Sequence, residues 1–371
     1  MAQDMSGTGV AAGGTTVVIP GEMAARVDRL PVSGMAWELA LLVQVGWACS
    51  ASADGISARL YPFIWLPRHV MTSFEYSVLY ALETGISILI GGYAIGWLSD
   101  RIGRRKALIL SSVLAGVFIW PFGYVTSYPA LVVLSLADTL GFAGYLAVNV
   151  VYMSEIMGPA VRSKVIMRAQ VLAIFLLAVV LASLIPHYWI PGRYRRYLWL
   201  LAGLNIAVAL VLSWRVPESP RWLDARQRRD QARAIVERME ARVTKHHPDL
   251  PEPDLTPHQA VAEEKTRWFA PFSRGYLAVA TVGTTLGQFS MWVYIPGNYP
   301  TRMRSLGTGW TDGVGHLGAW GGVLLSGVVF TAAAPRGWIV LITIPGALLP
   351  ACMVAIFGKR QRRRTLEELA R

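Results

Sequence analysis

Runs of about twenty largely apolar residues recur along the chain, and the charged residues are gathered between them. This spacing restricts the fold more than any other feature. Crossing a bilayer takes about 20 consecutive apolar residues, and in hydrocarbon only helices and closed barrels satisfy every backbone polar group. Candidate helical spans lie at 36–55, 77–98, 107–125, 131–153, 165–186 and 197–214, and, after a polar connection, at 276–296, 314–334 and 338–357. Only 16% of the 371 residues are charged and 54% are hydrophobic, against about 25% charged in an ordinary soluble domain. Ten of the 23 acidic residues fall between Glu218 and Glu264. A single soluble core is excluded. The expected fold class is an all-α integral membrane helix bundle with about nine candidate spans, and the lipid bilayer is its first partner.

The formal net charge is +12. Its basic residues flank the apolar segments, as at Arg101, Arg104, Arg105 and Lys106 or from Lys359 to Arg364. Membrane-helix flanks explain that placement, so no nucleic-acid partner is expected. The loop between spans two and three and the long loop from Arg215 to Arg274 are rich in Lys and Arg, which predicts a cytoplasmic N-terminus. Arg59, Arg68, Arg193, Arg195 and Arg196 fall on the opposite side. Residues 1–33 lack a signal-peptide pattern and are read as a cytoplasmic tail. The remaining units are a six-helix half at 34–216, a cytoplasmic loop at 217–270, a shortened second half at 271–358 and a basic tail at 359–371. Within the loop, Ala232, Ile235, Val236, Met239 and Val243 recur at helical spacing and predict a short amphipathic helix. Cys49 and Cys352 lie inside apolar spans and form no metal or redox spacing.

Between spans two and three stands Gly96-Trp-Leu-Ser-Asp100-Arg101-Ile-Gly103-Arg104-Arg105-Lys106. Gly96 is read as ending the helix against a close neighbour, Gly103 as permitting a tight turn, and Asp100 as holding a charge network. This segment resembles the loop signature of the major facilitator superfamily. Val216-Pro217-Glu218-Ser219-Pro220-Arg221-Trp222-Leu223 resembles the motif after helix six in its sugar-porter and metabolite–proton symporter branches. Tyr152-Met-Ser154-Glu155 with Pro159 and Arg162 resembles their mid-half signature, and Tyr299-Pro300-Thr301-Arg302 the link between helices ten and eleven. Asp28-Arg29-Leu30-Pro31-Val32-Ser33 is similar to the niacin and aromatic-acid transporter group. The resemblance implies a secondary transporter of a small organic solute working by alternating access in the inner membrane. It also implies a cytoplasmic gating network of Gly96, Asp100, Arg101, Gly103, Arg104, Arg105, Glu155, Arg162, Glu218 and Arg221. Structural salt bridges with no role in transport are the plainer reading of the same residues.

Ionisable groups inside a bilayer are functional candidates by default. Asp138, Glu83 and Asp54 are therefore proton-coupling candidates, with Asp54 also readable as lying at the outer boundary. On span four, Asp138, Tyr145, Asn149 and Tyr152 keep to one stripe of about 60°. Gln44 and Trp47 on span one, Tyr80 on span two, Gln170 on span five, and Gln288 and Trp292 after the loop complete a candidate substrate cavity. Helix–helix hydrogen bonding in a packed bundle is the alternative for the Tyr and Asn positions.

The chain departs from the family pattern in two places. Related symporters carry an aspartate pair where this chain reads Ser50-Ala51-Ser52-Ala53-Asp54, and their span-four arginine and glutamate fall at Ser135 and Tyr145. About 25 residues separate Arg274 from Tyr299, where the family places four helices. A transporter-derived sensor, scaffold or decayed remnant is therefore the rival reading. Gly318 and Gly322 offer a small-residue face for a homo-oligomer or for packing within the chain. No phosphate loop, metal-ligand cluster or nucleophile–base arrangement occurs, so neither an enzyme nor a cofactor is expected.

Overall fold

The computed structural model describes residues 22–188, 194–255 and 299–313, and among them the regular structure is helical throughout. The order is α1 (Glu22–Asp28), α2 (Gly34–Ile64), α3 (Ser73–Leu82), a π-helical turn (Glu83–Ser87), α4 (Ile88–Ile102), α5 (Arg104–Ile119), a 3₁₀ turn (Trp120–Tyr124), α6 (Tyr128–Ile156), α7 (Pro159–Tyr188), α8 (Tyr194–Arg215), α9 (Pro220–Ala225) and α10 (Arg229–Thr244). Further along, Thr301–Met303 forms a 3₁₀ turn, and residues 304–313 form α11.

Six long helical segments thus occupy the first six candidate spans. Four of them, Phe74–Ile102, Arg104–Tyr124, Tyr128–Ile156 and Tyr194–Arg215, are long and apolar enough to cross a membrane. α2 and α7 have 31 and 30 residues, about 45 Å each at 1.5 Å per residue. The last three candidate spans, Gln288, Trp292 and the basic tail lie outside the described residues.

Several helices start at residues suited to a helix N-terminus. Thr72 and Glu75 form a reciprocal capping box at α3. Pro129 follows Ser127 at the start of α6, and Pro220 follows the capping Ser219 at α9. α6 is central, packing against α2, α4 and α5. A Cβ on Gly91 of α4 would lie 2.9 Å from the Cα of Leu140, and one on Gly141 of α6 would lie 2.7 Å from the amide nitrogen of Ala115. Side-chain-free positions let these backbones touch, which is how membrane helices gain packing energy without a hydrophobic drive between them.

The expected amphipathic helix is α10, and its five apolar residues are its buried ones. α1 was not anticipated by the reading of residues 1–33 as a tail. It packs on α9 and α10, where Arg26 donates to both oxygens of Glu240 (3.1 and 2.5 Å) and Arg29 adds a third bond at 2.6 Å. The π-helical turn in span two was also unforeseen.

Candidate functional site

A cluster of charged side chains meets where α4 turns into α5. Gly103 makes the turn at φ +106°, a backbone region open to glycine. The turn leaves the first amides of α5 without a side-chain cap of their own. Glu218 supplies one from 114 residues away: its carboxylate accepts the backbone N–H of Arg104 (2.8 Å), Arg105 (3.2 Å) and Ser219 (2.9 Å). A Cβ on Gly103 would overlap that carboxylate. Glycine here serves both the dihedral and the room that Glu218 needs. Burial pushes the Glu218 carboxyl above its usual value, against the backbone N–H groups of Ser219 and Arg105.

Arg104 is the hub, with no exposed surface. Its Nε and Nη2 donate to the two oxygens of Glu155 (3.1 and 3.0 Å), Nη1 to Asp100 (2.7 Å), and Nη2 also to the carbonyl of Thr301 (2.8 Å). The Ser219 hydroxyl donates to Glu155 at 2.6 Å while accepting the Trp222 amide. Arg221 donates to the Glu155 carbonyl (3.1 Å) and to the carboxylate of Asp28 (2.5 Å). Trp222 and Arg226 both donate to the Asp100 carbonyl, closing the end of α4.

Residues 299–313 lock onto this cluster. Arg304, fully buried, donates to Glu155 at 3.1 Å and to the Tyr299 carbonyl. The Asp100 carboxylate accepts the amides of Leu306 (3.0 Å) and Ser305 (3.4 Å), so α11 takes its N-terminal cap from α4. The Ser99 and Ser305 hydroxyls are 3.3 Å apart. A Cβ on Gly96 would lie 2.5 Å from the Ser305 carbonyl oxygen, and Gly92 and Gly309 press backbone on backbone. Gly96 therefore does meet a close neighbour but does not end the helix, which runs on to Ile102 because its i−4 hydrogen bonds continue past the glycine.

Of the ten residues suggested for this network, Gly96, Asp100, Gly103, Arg104, Arg105, Glu155, Glu218 and Arg221 are brought together. Arg101 instead lies outward with its guanidinium 3.7 Å from the Trp97 ring. Arg162 is buried in the first turn of α7. Sequence reasoning missed Arg304, Ser219 and Asp28. The available signal for Arg304 was its place two residues beyond the Tyr299-Pro300-Thr301-Arg302 segment.

The polar positions along the spans are buried. Tyr145 donates to the Val43 carbonyl (2.8 Å) and Tyr152 to the Pro217 carbonyl (2.9 Å), so both hydroxyls tie α6 to its neighbours. Asn149 Nδ2 donates to Gln44 Oε1 at 3.3 Å. The other amide atom of each, Gln44 Nε2 and Asn149 Oδ1, and Oε1 of Gln170 on α7, have no hydrogen-bond partner among the described residues. Asp54 accepts from Thr139 (2.9 Å), next along α6 from the fully buried Asp138. Glu83 opens the π-helical turn, 4% exposed, in a segment packed against α6. Tyr80 stacks on Tyr76 at 6.1 Å, and Trp47 is buried on α2. Such buried amides and carboxyls could hold a polar solute or a proton.

The family profile described as Major Facilitator Superfamily matches residues 45–365. The inner membrane metabolite transport protein YgcS of Escherichia coli K12 is 30% identical over 155 residues, 41% of this chain and 34% of that protein. The niacin transporter NiaP of Acinetobacter baylyi is 23% identical over 282 residues, 74% of this chain and 62% of that one. The chain therefore spans less than two thirds of the length of either. Among solved structures, the proton:xylose symporter XylE bound to 6-bromo-6-deoxy-D-glucose superposes with a TM-score of 0.58 at 15% identity, over 90% of this chain and 98% of that one.

Proposed function

The chain belongs to the major facilitator superfamily, and from that premise we propose that it is a secondary transporter of a small organic solute. The observation that carries this reading is the cap and ion pair between α4, α6 and α11. Asp100 and Glu155 hold α11 through the Ser305 and Leu306 amides and the Arg304 guanidinium. Alternating access needs two packed parts that separate and rejoin at one end of the bundle. A discrete set of buried charge contacts across such a boundary suits a latch, since it is either made or broken. In this reading the latch residues gate the cytoplasmic side of the inner membrane, and residues 34–216 form the complete half-bundle.

The spare amide atoms of Gln44, Asn149 and Gln170 suit a solute with both hydrogen-bond donors and acceptors. The niacin and xylose in the relatives' names are therefore sensible first solutes to test. Protons are the proposed coupling ion, carried by Asp138 or Glu83, because ionisable groups inside a bilayer are functional candidates by default.

The test is radiolabelled solute uptake into vesicles containing the purified chain. Saturable uptake that collapses with an uncoupler supports proton-driven transport. Binding without flux overturns it in favour of the sensor or scaffold reading. Asp138→Asn is expected to abolish proton-driven accumulation while sparing exchange, and unchanged accumulation would exclude Asp138 as the carrier.

A further inference from the structure

The end of the bundle opposite the latch carries positive charge that the described protein leaves unneutralised. Arg68, in the connection between α2 and α3, donates to the Tyr194 hydroxyl (2.7 Å), and its guanidinium lies 5.4 Å from that ring. Arg195 donates to the Gly123 carbonyl (2.8 Å) and lies 5.2 Å from the Tyr124 ring. Arg196 is exposed beside it. None of the three has a carboxylate partner among the described residues. The sequence explains why: no acidic residue stands between Asp100 and Asp138 or between Glu155 and Glu218, so α5 and α8 have none to offer. Of the acids on neighbouring elements, Glu75 keeps its carboxylate on Thr72 and Asp54 accepts from Thr139.

The same cluster opens onto an apolar wall. Trp120 is 53% and Leu200 56% exposed, on the helices that carry Tyr124 and Arg195. Trp199 stacks on Tyr124 at 6.0 Å, which joins wall and cations in one surface. Stacked guanidiniums keep donors free to point outward, and aromatic rings of this kind settle at the level of lipid headgroups. An exposed cationic head above an exposed apolar face matches an amphiphile with an anionic head.

We infer that this surface is a docking site for one anionic phospholipid, whose phosphate group lies against Arg68, Arg195 and Arg196 and whose acyl chains run along Trp120, Trp199 and Leu200. The site is independent of what the protein transports. It also accounts for arginines on the side of the membrane where topology signals disfavour them.

The full chain, delipidated in detergent, is titrated with dioleoyl phosphatidylglycerol or dioleoyl phosphatidylcholine, and bound lipid is counted by native mass spectrometry. Phosphatidylglycerol is expected to bind more tightly. A basic residue near an anionic surface contributes about fivefold in affinity. Arg195→Gln should then weaken phosphatidylglycerol about fivefold, and Arg195→Gln with Arg68→Gln about 25-fold, with phosphatidylcholine binding unchanged as the check on folding. Arg195→Lys, which keeps the charge, should weaken it less than Arg195→Gln. Equal affinity for the two lipids, or wild-type affinity in the double variant, overturns the proposal. So does displacement of phosphatidylglycerol by an equal concentration of glycerol 3-phosphate, which would mark a solute site instead of a lipid site.

Discussion

Replacing Gly103 by alanine tests whether one glycine serves two purposes. The first is backbone: at φ +106° a Cβ is strained, at a cost of about 1–3 kcal/mol. The second is space: the new methyl overlaps the Glu218 carboxylate and drives it off the amides of Arg104, Arg105 and Ser219. Losing an N-terminal cap costs about 0.5–2 kcal/mol, so Gly103→Ala should destabilise by about 1.5–5 kcal/mol in all. The two contributions separate in a double-mutant cycle with Glu218→Ala. Once Glu218 is gone the overlap vanishes, and Gly103→Ala should cost the strain alone. The predicted coupling is therefore about 0.5–2 kcal/mol, with the double variant better than additive. Tryptophan fluorescence during denaturation in mixed micelles would measure all four corners. Additivity within about 0.3 kcal/mol would refute the idea that Gly103 makes room for Glu218.

Further perturbations address the rest of the cluster. Glu155→Gln leaves the buried Arg104 and Arg304 guanidiniums short of counter-charge, and should cost about 3–5 kcal/mol in the same unfolding measurement. Gly309→Val should keep α11 away from the Gly92 backbone, seen as a rise in maleimide labelling of a cysteine placed at Ser305; unchanged labelling would argue against a tight contact. Burial pushes the Glu240 carboxyl up, but the hydrogen bonds and charges of Arg26 and Arg29 outweigh it and hold it below its usual value. A carboxyl lowered in this way adds stability that is complete above its unfolded value, about 4.3, and lost as pH falls through the folded one. The protection of residues 22–30 against hydrogen exchange, taken relative to the intrinsic amide rate at each pH, should therefore fall as the medium is acidified below about pH 4, and Glu240→Gln should remove that dependence.

The membrane class and the first six helices were legible in the sequence, because apolar runs of this length have few other outcomes. Asp100 and Arg104 were legible as a pair, since four residues apart on a turn they face one another. Glu155 and Glu218 were legible only through their resemblance to known motifs; nothing in their local spacing aims them at Arg104. The roles of Arg304 and Asp28 were not legible. Their partners lie 149 and 193 residues away, and a single sequence holds no signal for contacts set by tertiary packing. The stripe of Tyr145, Asn149 and Tyr152 on α6 was foreseen as a face. What that face addresses, the Val43 and Pro217 carbonyls and Gln44, depends on how α2 and α8 lean against it. The π-helical turn at Glu83–Ser87 has no composition that sets it apart from an ordinary helix.

α11 begins on a carboxylate that belongs to another helix. A helix with its cap in its own sequence can move as a rod, since its first turn goes with it. α11 cannot: if α4 withdraws, the Ser305 and Leu306 amides lose Asp100 at once, and the opening turn frays unless another acceptor arrives. An opening between the two helices would also admit water. Parting them would therefore exchange a protein acceptor for a solvent one, and separation would be a local melting event as well as a rigid displacement.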